Sequence, residues 1–379
     1  MKQLRMILTG MIAILALVAA GCGSSGGGGG VAGIPDPGTD PTVPTVSLTR
    51  LTTPQFTAGT FSAAVAINEA NIAVGMGNDN TGRVLPALWT VDAVAGSVDG
   101  PTPLDLISGA TSTGNFGAAY AINESGMVVG ESEDPADSTQ KAVVWPAGAQ
   151  SSPTILTALD GAAQFSAAYG VNNNGIIVGE SQNATLVTMP VMWTIDAATN
   201  VASAPTLLAL PEGAVSGSAY FISDADVIVG EYSDGTQSFA IMWDSAGTPT
   251  NLGAALPEGF TNSVAYSVNI DGVIVGEAMA DVDGSTHGIL FDGQTATDLG
   301  ATVAESNTLA VNDFGRMAGW IATDVGVDSM ASIWDTRSTT LTNFSTLFTD
   351  VTISQGYGIN NANHVVGLAD NLAFIALQR

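Results

Sequence analysis

One pattern of apolar and polar residues recurs seven times between residues 64 and 367. Each copy is an apolar run ending in Asn or Ser, two variable residues, one residue that tolerates positive φ, and a second apolar run ending in Gly. The residues that end the first run, called anchors below, are Asn68, Asn123, Asn172, Ser223, Asn269, Asn312 and Asn360. A repeat of 43 to 55 residues without helical periodicity predicts a propeller or a solenoid.

The third residue after each anchor predicts how the chain turns. These residues are Asn71, Gly126, Gly175, Asp226, Gly272, Gly315 and Asn363. Gly, Asn and Asp enter the left-handed region at the lowest steric cost. We therefore predict a type I turn closed by a bulge between two hairpin strands, with the anchor residue serving the turn and not a ligand.

Two more strands follow in each unit. The third strand carries an aromatic residue near its end, at Trp89, Trp145, Trp193, Trp243, Phe291 and Trp334. The fourth is a short run rich in Thr and Leu, such as TPLDLI at 102–107. Short β-branched segments separated by Gly, Asp, Ser and Pro predict a four-stranded antiparallel blade. Seven such units predict an all-β, seven-bladed β-propeller.

The two ends of the chain suggest how the ring closes. The seventh unit reaches its third strand, at residues 372–377, and the sequence ends at Arg379 before a fourth. An unassigned Thr/Leu run, VSLTRLTT at 46–53, precedes the first unit. We expect it to pair with 372–377, which completes the last blade and protects two strand edges.

Residues 287–300, which read HGILFDGQTATDLG, resemble the bacterial HAF repeat. That repeat has His-Ala-Phe-x-Trp, a Gly-containing turn and Asp-Leu-Gly, followed by an Ile-Asn-x-x-Gly-x-x-Val-Gly hairpin. The resemblance extends from residue 46 onward, and it implies an extracellular repeat module without an assigned reaction. His287 alone keeps the repeat's His, with Lys141 and Met330 at equivalent positions, so no ring of histidines is implied.

The N-terminus predicts export. Lys2 and Arg5 precede an apolar stretch, residues 6–20, that is too short to span a membrane and typical of a signal peptide. Small residues then lead into Cys22, which resembles the lipobox of bacterial lipoproteins; the alternative is an ordinary secreted protein. Cys22 is the single cysteine, so lipidation is its expected use. Gly23 resembles the following residue of lipoproteins sent to the outer membrane.

These features predict three segments. Residues 1–21 form the signal peptide, 22–43 a Gly/Ser/Pro-rich tether, and 44–379 the propeller. The expected location is the cell envelope, at the outer membrane or cell surface. The lipid at Cys22 is the expected membrane contact of a monomeric protein.

The net charge of the chain excludes some classes of binding partner. The chain has 8 Lys and Arg against 35 Asp and Glu, a formal net charge of −27. This charge repels nucleic acid and anionic lipid surfaces, so nucleic acid is not an expected partner. An apolar content of 46% fits blades that are buried on both faces.

One position varies in blade order. The residues directly after the second Gly are Met76, Glu131, Glu180, Glu231, Glu277, Trp320 and Leu368. Units two to five therefore carry carboxylates, and units six, seven and one carry apolar groups. We hypothesise a ligand-binding face with solvated carboxylates on one rim and apolar groups on the other. The alternative is Glu shared by repeat duplication that only keeps the face soluble.

Signals for catalysis are weak. The two histidines, His287 and His364, lie on different units, which argues against a Ser-His-Asp site, and no cofactor motif is present. Two oxygen-rich segments, 78–82 and 281–284, have the composition of calcium loops without the full ligand spacing, so no metal is predicted. The predicted function is a non-catalytic module that binds a protein or glycan. The alternative is a carbohydrate-active enzyme that uses the carboxylates.

Overall fold

The structure is a computed structural model that describes the chain in segments: 46–51, 61–79, 81–107, 116–148, 151, 153–161, 164–196, 199–293, 295–324, 328–335, 341–344 and 351–378. Residues 46–379 form one compact unit. The predicted signal peptide, Cys22 and the tether lie outside the described residues. In the described part of the chain, no helix has the length and apolarity needed to cross a bilayer.

Seven antiparallel sheets follow one another along the chain, and each is one blade. The strands of blade 1 are β2 (Ser62–Ile67), β3 (Ile72–Asn78), β4 (Val84–Asp92) and β5 (Ser97–Pro103). Those of blade 2 are β6 (Gly117–Ile122), β7 (Val128–Asp134), β8 (Thr139–Trp145) and β9 (Thr154–Ile155). Blade 3 has β10 (Ser166–Val171), β11 (Ile176–Gln182), β12 (Thr188–Asp196), β13 (Val201–Ala202) and β14 (Thr206–Leu207).

The remaining blades repeat the same order. Blade 4 has β15 (Ser216–Ile222), β16 (Ile228–Ser233), β17 (Ser238–Trp243) and β18 (Pro249–Asn251), followed by a 3-10 turn at Gly253–Ala255. Blade 5 has β19 (Phe260–Val268), β20 (Ile274–Ala280), β21 (Thr286–Asp292) and β22 (Thr295–Asp298). Blade 6 has β23 (Glu305–Val311), β24 (Arg316–Ala322), β25 (Met330–Asp335) and β26 (Leu341–Asn343). Blade 7 has β27 (Ser354–Ile359), β28 (Val365–Ala369) and β29 (Leu372–Gln378), with β1 (Val46–Arg50) beside β29. The predicted all-β, seven-bladed propeller is confirmed.

Seven apolar clusters show why the blades form a ring. Each cluster takes buried side chains from two neighbouring blades, and together they cover all seven interfaces. The cluster between blades 7 and 1, for example, joins Val366 and Ile375 to Ala64 and Trp89. The third-strand aromatics are among the largest fully buried side chains, and each contributes on the order of 2–3 kcal/mol of apolar burial.

The strand β1 lies antiparallel to β29, with Val46 opposite Gln378 and Arg50 opposite Phe374. Directly after it, Leu51 is 1% exposed and packs in the cluster between blades 7 and 1, and its amide donates to the Ala373 carbonyl at 2.9 Å. Residues 52–53 of the predicted closing segment lie outside the described residues. Closure of the ring by an N-terminal strand stays a prediction.

The hairpin turns have the predicted conformation. All seven residues three positions after an anchor have positive φ, from 59° at Asn71 to 84° at Gly126. In blade 2 the Gly126 amide donates to the Asn123 carbonyl, and the Asn123 amide donates to the Met127 carbonyl, both at 3.0 Å. The second Gly of the repeat also has a steric role: a Cβ on Gly130 would overlap the Ala118 carbonyl oxygen.

Outside blade 1, the fourth strands are shorter than the Thr/Leu runs that predict them, with two residues in β9 and β14. In blades 1 to 3, the part of the run beyond the strand turns a Leu into the core. Leu104, Leu156 and Leu208 are at most 4% exposed, and their amides still donate to third-strand carbonyls. In the second half of these runs, the Leu side chains are therefore buried between blades and the strand does not continue.

Candidate functional site

The first strand of every blade carries a β-bulge at the third residue before its anchor. The bulged residues are Val65, Tyr120, Tyr169, Tyr220, Tyr266, Leu309 and Tyr357. First strands of adjacent blades contact one another, so they line the axis of the propeller. We call the bulged residues, together with the residues that follow each repeat Gly, the inner ring.

Four blades place a tyrosine hydroxyl on a carboxylate within the inner ring. Tyr120 donates to Glu131 at 2.7 Å, Tyr169 to Glu180 at 3.0 Å, and Tyr220 to Glu231 at 2.8 Å. Tyr266 and Glu277 form the fourth pair. Rings of neighbouring tyrosines lie with centroids 5.4, 5.7 and 6.1 Å apart, from blade 2 to blade 5. We call these four pairs the acidic arc.

The sequence analysis did not predict these hydrogen bonds. A signal was present, because each tyrosine precedes its Glu by 11 residues, in 120/131, 169/180, 220/231 and 266/277. A bulged residue and the partner beyond a tight hairpin keep a constant offset in every repeat. The offset therefore identifies the pairs once the bulge is recognised.

The expectation that the carboxylates are solvated is wrong for half of the arc. Glu131 and Glu180 are 8% and 4% exposed. Of the predicted apolar rim, Met76 and Leu368 are also buried. The remaining three predicted residues, Glu231, Glu277 and Trp320, are half-buried. The structure thus brings the predicted positions into one ring, and a ligand-binding role stays a prediction that is centred on the last three.

Burial disfavours the charged form of these carboxyls. Desolvation raises the pKa of Glu131, Glu231 and Glu277 to about 7, against the opposing effect of the tyrosine hydrogen bonds. Glu180 adds to the rise at Glu131 and Glu231, because its charge is on a neighbouring blade. Burial raises the pKa of Glu180 as well, although Ser218 and Tyr169 hydrogen-bond to it. The tyrosine pKa values lie well above 10, so the hydroxyls remain donors.

The rest of the inner ring is neutral. Leu309 and Trp320 occupy it in blade 6, Val65 and Met76 in blade 1. In blade 7, Tyr357 donates to Gln355 at 2.7 Å in place of a carboxylate. The inner ring is therefore polarised, with carboxyl groups in blades 2–5 and neutral groups in blades 6, 7 and 1.

The anchors form a second ring at the hairpin turns, which we call the turn ring. An anchor Asn accepts from its own turn through Oδ1 and donates through Nδ2 to the anchor carbonyl of the next blade. Asn123, for example, accepts from the Met127 amide at 3.0 Å and donates to Asn172 O at 3.0 Å. The inter-blade bonds are Asn68 to Asn123, Asn123 to Asn172, Asn172 to Ser223, Asn269 to Asn312, Asn312 to Asn360 and Asn360 to Asn68.

Ser223 interrupts the turn ring between blades 4 and 5. Its hydroxyl reaches the Val227 amide at 3.4 Å and has no amide group for the Asn269 carbonyl. The residues that directly follow the anchors show the same interruption. The Asp224 side chain accepts from the Asn173 amide at 2.9 Å in the preceding interface, whereas the Ile270 side chain has no oxygen that could accept from the Asp224 amide. The predicted turn role of the anchors is thus accompanied by an inter-blade role that the sequence did not reveal.

In two other polar clusters the side chains form hydrogen bonds or ion pairs with one another. Ser285, His287 and Asp298 are within hydrogen-bond distance in that order, at 3.3 and 3.0 Å. Ser285 is 2% exposed and its hydroxyl also bonds Asp283 at 2.6 Å, which does not suit a nucleophile. Asp79, in the other oxygen-rich segment, pairs with Arg83 at 2.8 Å. Among the described residues, no group of three or more His, Cys, Asp or Glu side chains is arranged to hold a metal ion.

Comparison with known proteins adds fold information. A family model described as "Protein of unknown function (DUF3466)" matches residues 49–144, which span blade 1 and most of blade 2. No curated protein matches the chain significantly.

Several solved structures share the architecture. Puromycin hydrolase aligns with a TM-score of 0.57 at 13% identity, over 86% of this chain and 54% of its own. The β-propeller domain of the Trilobed protease from Pyrococcus furiosus aligns with a TM-score of 0.51 at 9% identity, over 84% and 95%. TolB from Acinetobacter baumannii gives 0.43 at 10% identity, over 78% and 77%. At these identities the first two likenesses show the fold alone.

Proposed function

We propose that the chain is a lipid-anchored, extracytoplasmic β-propeller that acts as a non-catalytic binding module for a ligand with cationic and apolar parts. The polarised inner ring is the observation that supports it. Carboxyl groups occupy four successive blades, and the half-buried Trp320 follows the last of them in blade order. Carboxylates would orient a cationic ligand, and a desolvated indole would contribute much of the affinity.

The repeat architecture makes this observation informative. The same ring position accepts Glu, Trp, Leu and Met within one fold, so packing alone does not require a carboxyl there. Desolvating a carboxylate costs free energy, and the raised pKa values of the arc express that cost. A binding role supplies a reason for carboxyl groups at a position that apolar residues fill elsewhere.

A partner screen tests the binding role. The full-length chain, purified in detergent, would be used to capture envelope proteins and to probe a glycan array. We expect a partner whose affinity falls at least about tenfold in Trp320→Ala and in the quadruple Glu→Gln variant of the acidic arc. Wild-type affinity in both variants, for whatever partner is found, would reject the inner ring as the binding site.

The lipid attachment at Cys22 is tested separately. A signal peptide that ends in small residues before Cys22 supports lipidation, as does the resemblance to the extracellular HAF repeats. Metabolic labelling with a palmitate analogue should mark the wild-type chain. The Cys22→Ser variant should lose the label and appear in the soluble fraction. An unlabelled wild-type chain would mean that Cys22 is not acylated and that an ordinary secreted protein is the better description.

A carbohydrate-active enzyme is the second candidate, because a carboxyl with a pKa near 7 suits a general acid. Glu231 and Glu277 are half-buried and have this property. Each already accepts a hydrogen bond from a tyrosine hydroxyl of its own blade, as expected of a carboxyl that is fixed in position. Turnover of any glycan on the array that disappears in Glu231→Gln or Glu277→Gln would establish the enzyme and displace the binding module.

A further inference from the structure

Blades 4 to 6 contain acceptor oxygens of the inner ring that lack donors. In blade 4, Tyr220 donates to Oε1 of Glu231, while Oε2 is buried and meets no donor at hydrogen-bonding geometry among the described residues; the nearby Ser238 hydroxyl has the smallest of the effects that act on the pKa of Glu231. In blade 6, Asn307 is 4% exposed and donates through Nδ2 to Oε2 of Glu277. Its Oδ1 has no partner in the described part of the chain. Two unpaired acceptors therefore flank Glu277, in the blades on either side of it.

Rotating the Asn307 amide does not resolve the deficit while Glu277 is ionised. Its Nδ2 is held by Glu277, so a flipped amide would place its oxygen against a carboxylate oxygen, which has no proton to donate. A buried acceptor left without a donor costs about 1–3 kcal/mol, and a native structure rarely retains one without a reason. A ligand rich in hydrogen-bond donors would satisfy both oxygens, whereas an apolar ligand would not.

Trp320 adds an aromatic surface at the same place. It lies opposite Asn307 in the pairing of β23 with β24. Trp320 is half-buried, whereas Trp89, Trp145, Trp193, Trp243 and Trp334 are at most 1% exposed. An indole face is the strongest aromatic partner for a cation. The unpaired acceptors, the carboxyl groups and the accessible indole thus lie in the consecutive blades 4, 5 and 6.

We infer that Glu231, Glu277, Asn307 and Trp320 form a subsite for an organic cation, either a primary ammonium or a guanidinium. An ammonium offers three donors and a guanidinium five, which matches a wall of acceptors. The absence of any metal-type cluster among the described residues favours an organic cation over a metal ion. This inference rests on the proposed function and identifies the ligand's cationic group.

Access comes from the side of the axis. Both unpaired oxygens are closed to solvent in the ligand-free chain, so binding requires local side-chain rotation. Glu231, Glu277 and Trp320 retain partial exposure, which leaves a route to them. Glu131 and Glu180 are sealed at 8% and 4% exposure and lie outside the subsite. Glu212, an exposed carboxylate outside the inner ring, is therefore the control, because its replacement removes one carboxylate without touching the arc.

Trp320 provides the readout, because it is the one tryptophan of the six that a quencher can reach directly. Acrylamide quenching of the full-length chain would be measured during titration with agmatine and cadaverine, and with end-blocked tetrapeptides containing one Arg or one Lys. Calorimetry would measure the same affinities. We expect saturable protection from quenching. Binding of the free amines points to a small-molecule ligand, and binding of the peptides alone points to a side chain of a protein partner.

Variants test where the cation binds. Glu231→Gln and Glu277→Gln should each weaken binding at least about tenfold, and the control Glu212→Gln less than about twofold. If either Gln variant fails to fold, Trp320→Phe, measured by calorimetry, should still show a loss of about threefold or more. The inference is overturned if no probe gives saturable binding, or if Glu212→Gln loses as much affinity as Glu277→Gln. A partner captured equally by wild type and Glu277→Gln would keep the binding module and reject this subsite.

Discussion

The turn ring and the inner ring are built from the same strands of the same seven repeats, yet they differ in uniformity. Six of the seven anchors are Asn, and each makes the same two kinds of hydrogen bond. The inner ring instead changes from carboxyl to apolar groups in blade order. A position is uniform when every blade needs the same bond, and it is free to vary when the architecture asks only for a side chain of suitable size.

The contacts explain the difference. An anchor Asn closes its own turn and bridges to the next blade, and Ser223 shows that a shorter residue loses the bridge. At the inner ring, the bulged strand accepts a Tyr–Glu pair in blade 2 and a Val–Met pair in blade 1 at the same backbone positions. The turn ring is therefore tied to assembly of the propeller, whereas the inner ring is free to vary with the ligand that we propose.

Removing β1 should have the largest effect, because we predict that this strand closes the ring on which both sets of contacts depend. Deleting residues 43–53 removes β1 and Leu51, a residue buried in the cluster between blades 7 and 1. Loss of one buried Leu costs about 2–5 kcal/mol before strand pairing is counted. We expect the melting temperature, measured by circular dichroism, to fall by more than about 10 °C.

A deletion of equal length in the tether, residues 23–33, is the control for that experiment. It shortens the chain without touching the propeller and should leave the transition unchanged. An unchanged transition after deletion of 43–53 would mean that the ring does not need an N-terminal strand.

Breaking one bridge of the turn ring should have the next largest effect. Asn172→Ala removes donors to Ser223 O at 3.1 Å and to Asp226 Oδ1 at 2.7 Å, and an acceptor for the Ile176 amide at 3.0 Å. We expect a loss of about 2–4 kcal/mol in the free energy of unfolding, measured by urea denaturation. Ser223→Ala, at the anchor without a bridge, should cost less than about 1 kcal/mol. Equal losses in the two variants would remove the distinction between the anchors.

The fold could be predicted from sequence because its signals are local. The positive-φ residue after each anchor and the alternating apolar runs specify a hairpin wherever they occur, and seven copies specify seven blades. The extent of the fourth strands could not be predicted, because Leu104 and its equivalents leave the sheet to fill an inter-blade core. Their conformation depends on side chains from the next blade, which no local pattern describes.

The site was predicted in position and not in environment. The blade order of Glu131 to Leu368 was visible in the repeats, but solvation was assigned from the residue type. The hydrogen bonds from the tyrosines to the buried Glu131 and Glu180 require the bulge, and the bulge depends on pairing across the hairpin. The bridges of the turn ring were invisible for a related reason, since they join residues 43 to 55 positions apart, or 292 at the closure of the ring.

The acidic arc should make stability depend on pH, which the turn ring should not. The pKa of Glu131, Glu231 and Glu277 is about 7 in the folded chain and near 4.5 when unfolded. The folded state therefore holds more protons between these values, so the stabilisation is complete below about pH 4.5 and is lost as pH rises through 7. We expect the free energy of unfolding to fall by about 1–2 kcal/mol for each group between pH 5 and 8.

Charge removal tests the source of that slope. The triple Glu→Gln variant at Glu131, Glu231 and Glu277 should flatten the dependence on pH and be more stable than wild type at pH 8. Gln substitutions at the exposed carboxylates Glu212 and Glu258 should leave the slope unchanged. A wild-type melting temperature that is constant or rises from pH 5 to 8 would show that the arc is not desolvated.

The smallest effect should come from repairing the interruption of the turn ring. Ser223→Asn supplies an Nδ2 donor for the Asn269 carbonyl and an Oδ1 acceptor for the Val227 amide, which the Ser hydroxyl reaches at 3.4 Å. One added hydrogen bond contributes about 1 kcal/mol, so the melting temperature should rise by about 2–4 °C. Ser223→Asp is the matched control, because it has the same shape and the acceptor but lacks the amide donor. A gain in Asn and none in Asp would assign the effect to the inter-blade bridge. Equal gains would assign it to the turn itself, and the uniformity of the anchors would then need no inter-blade explanation.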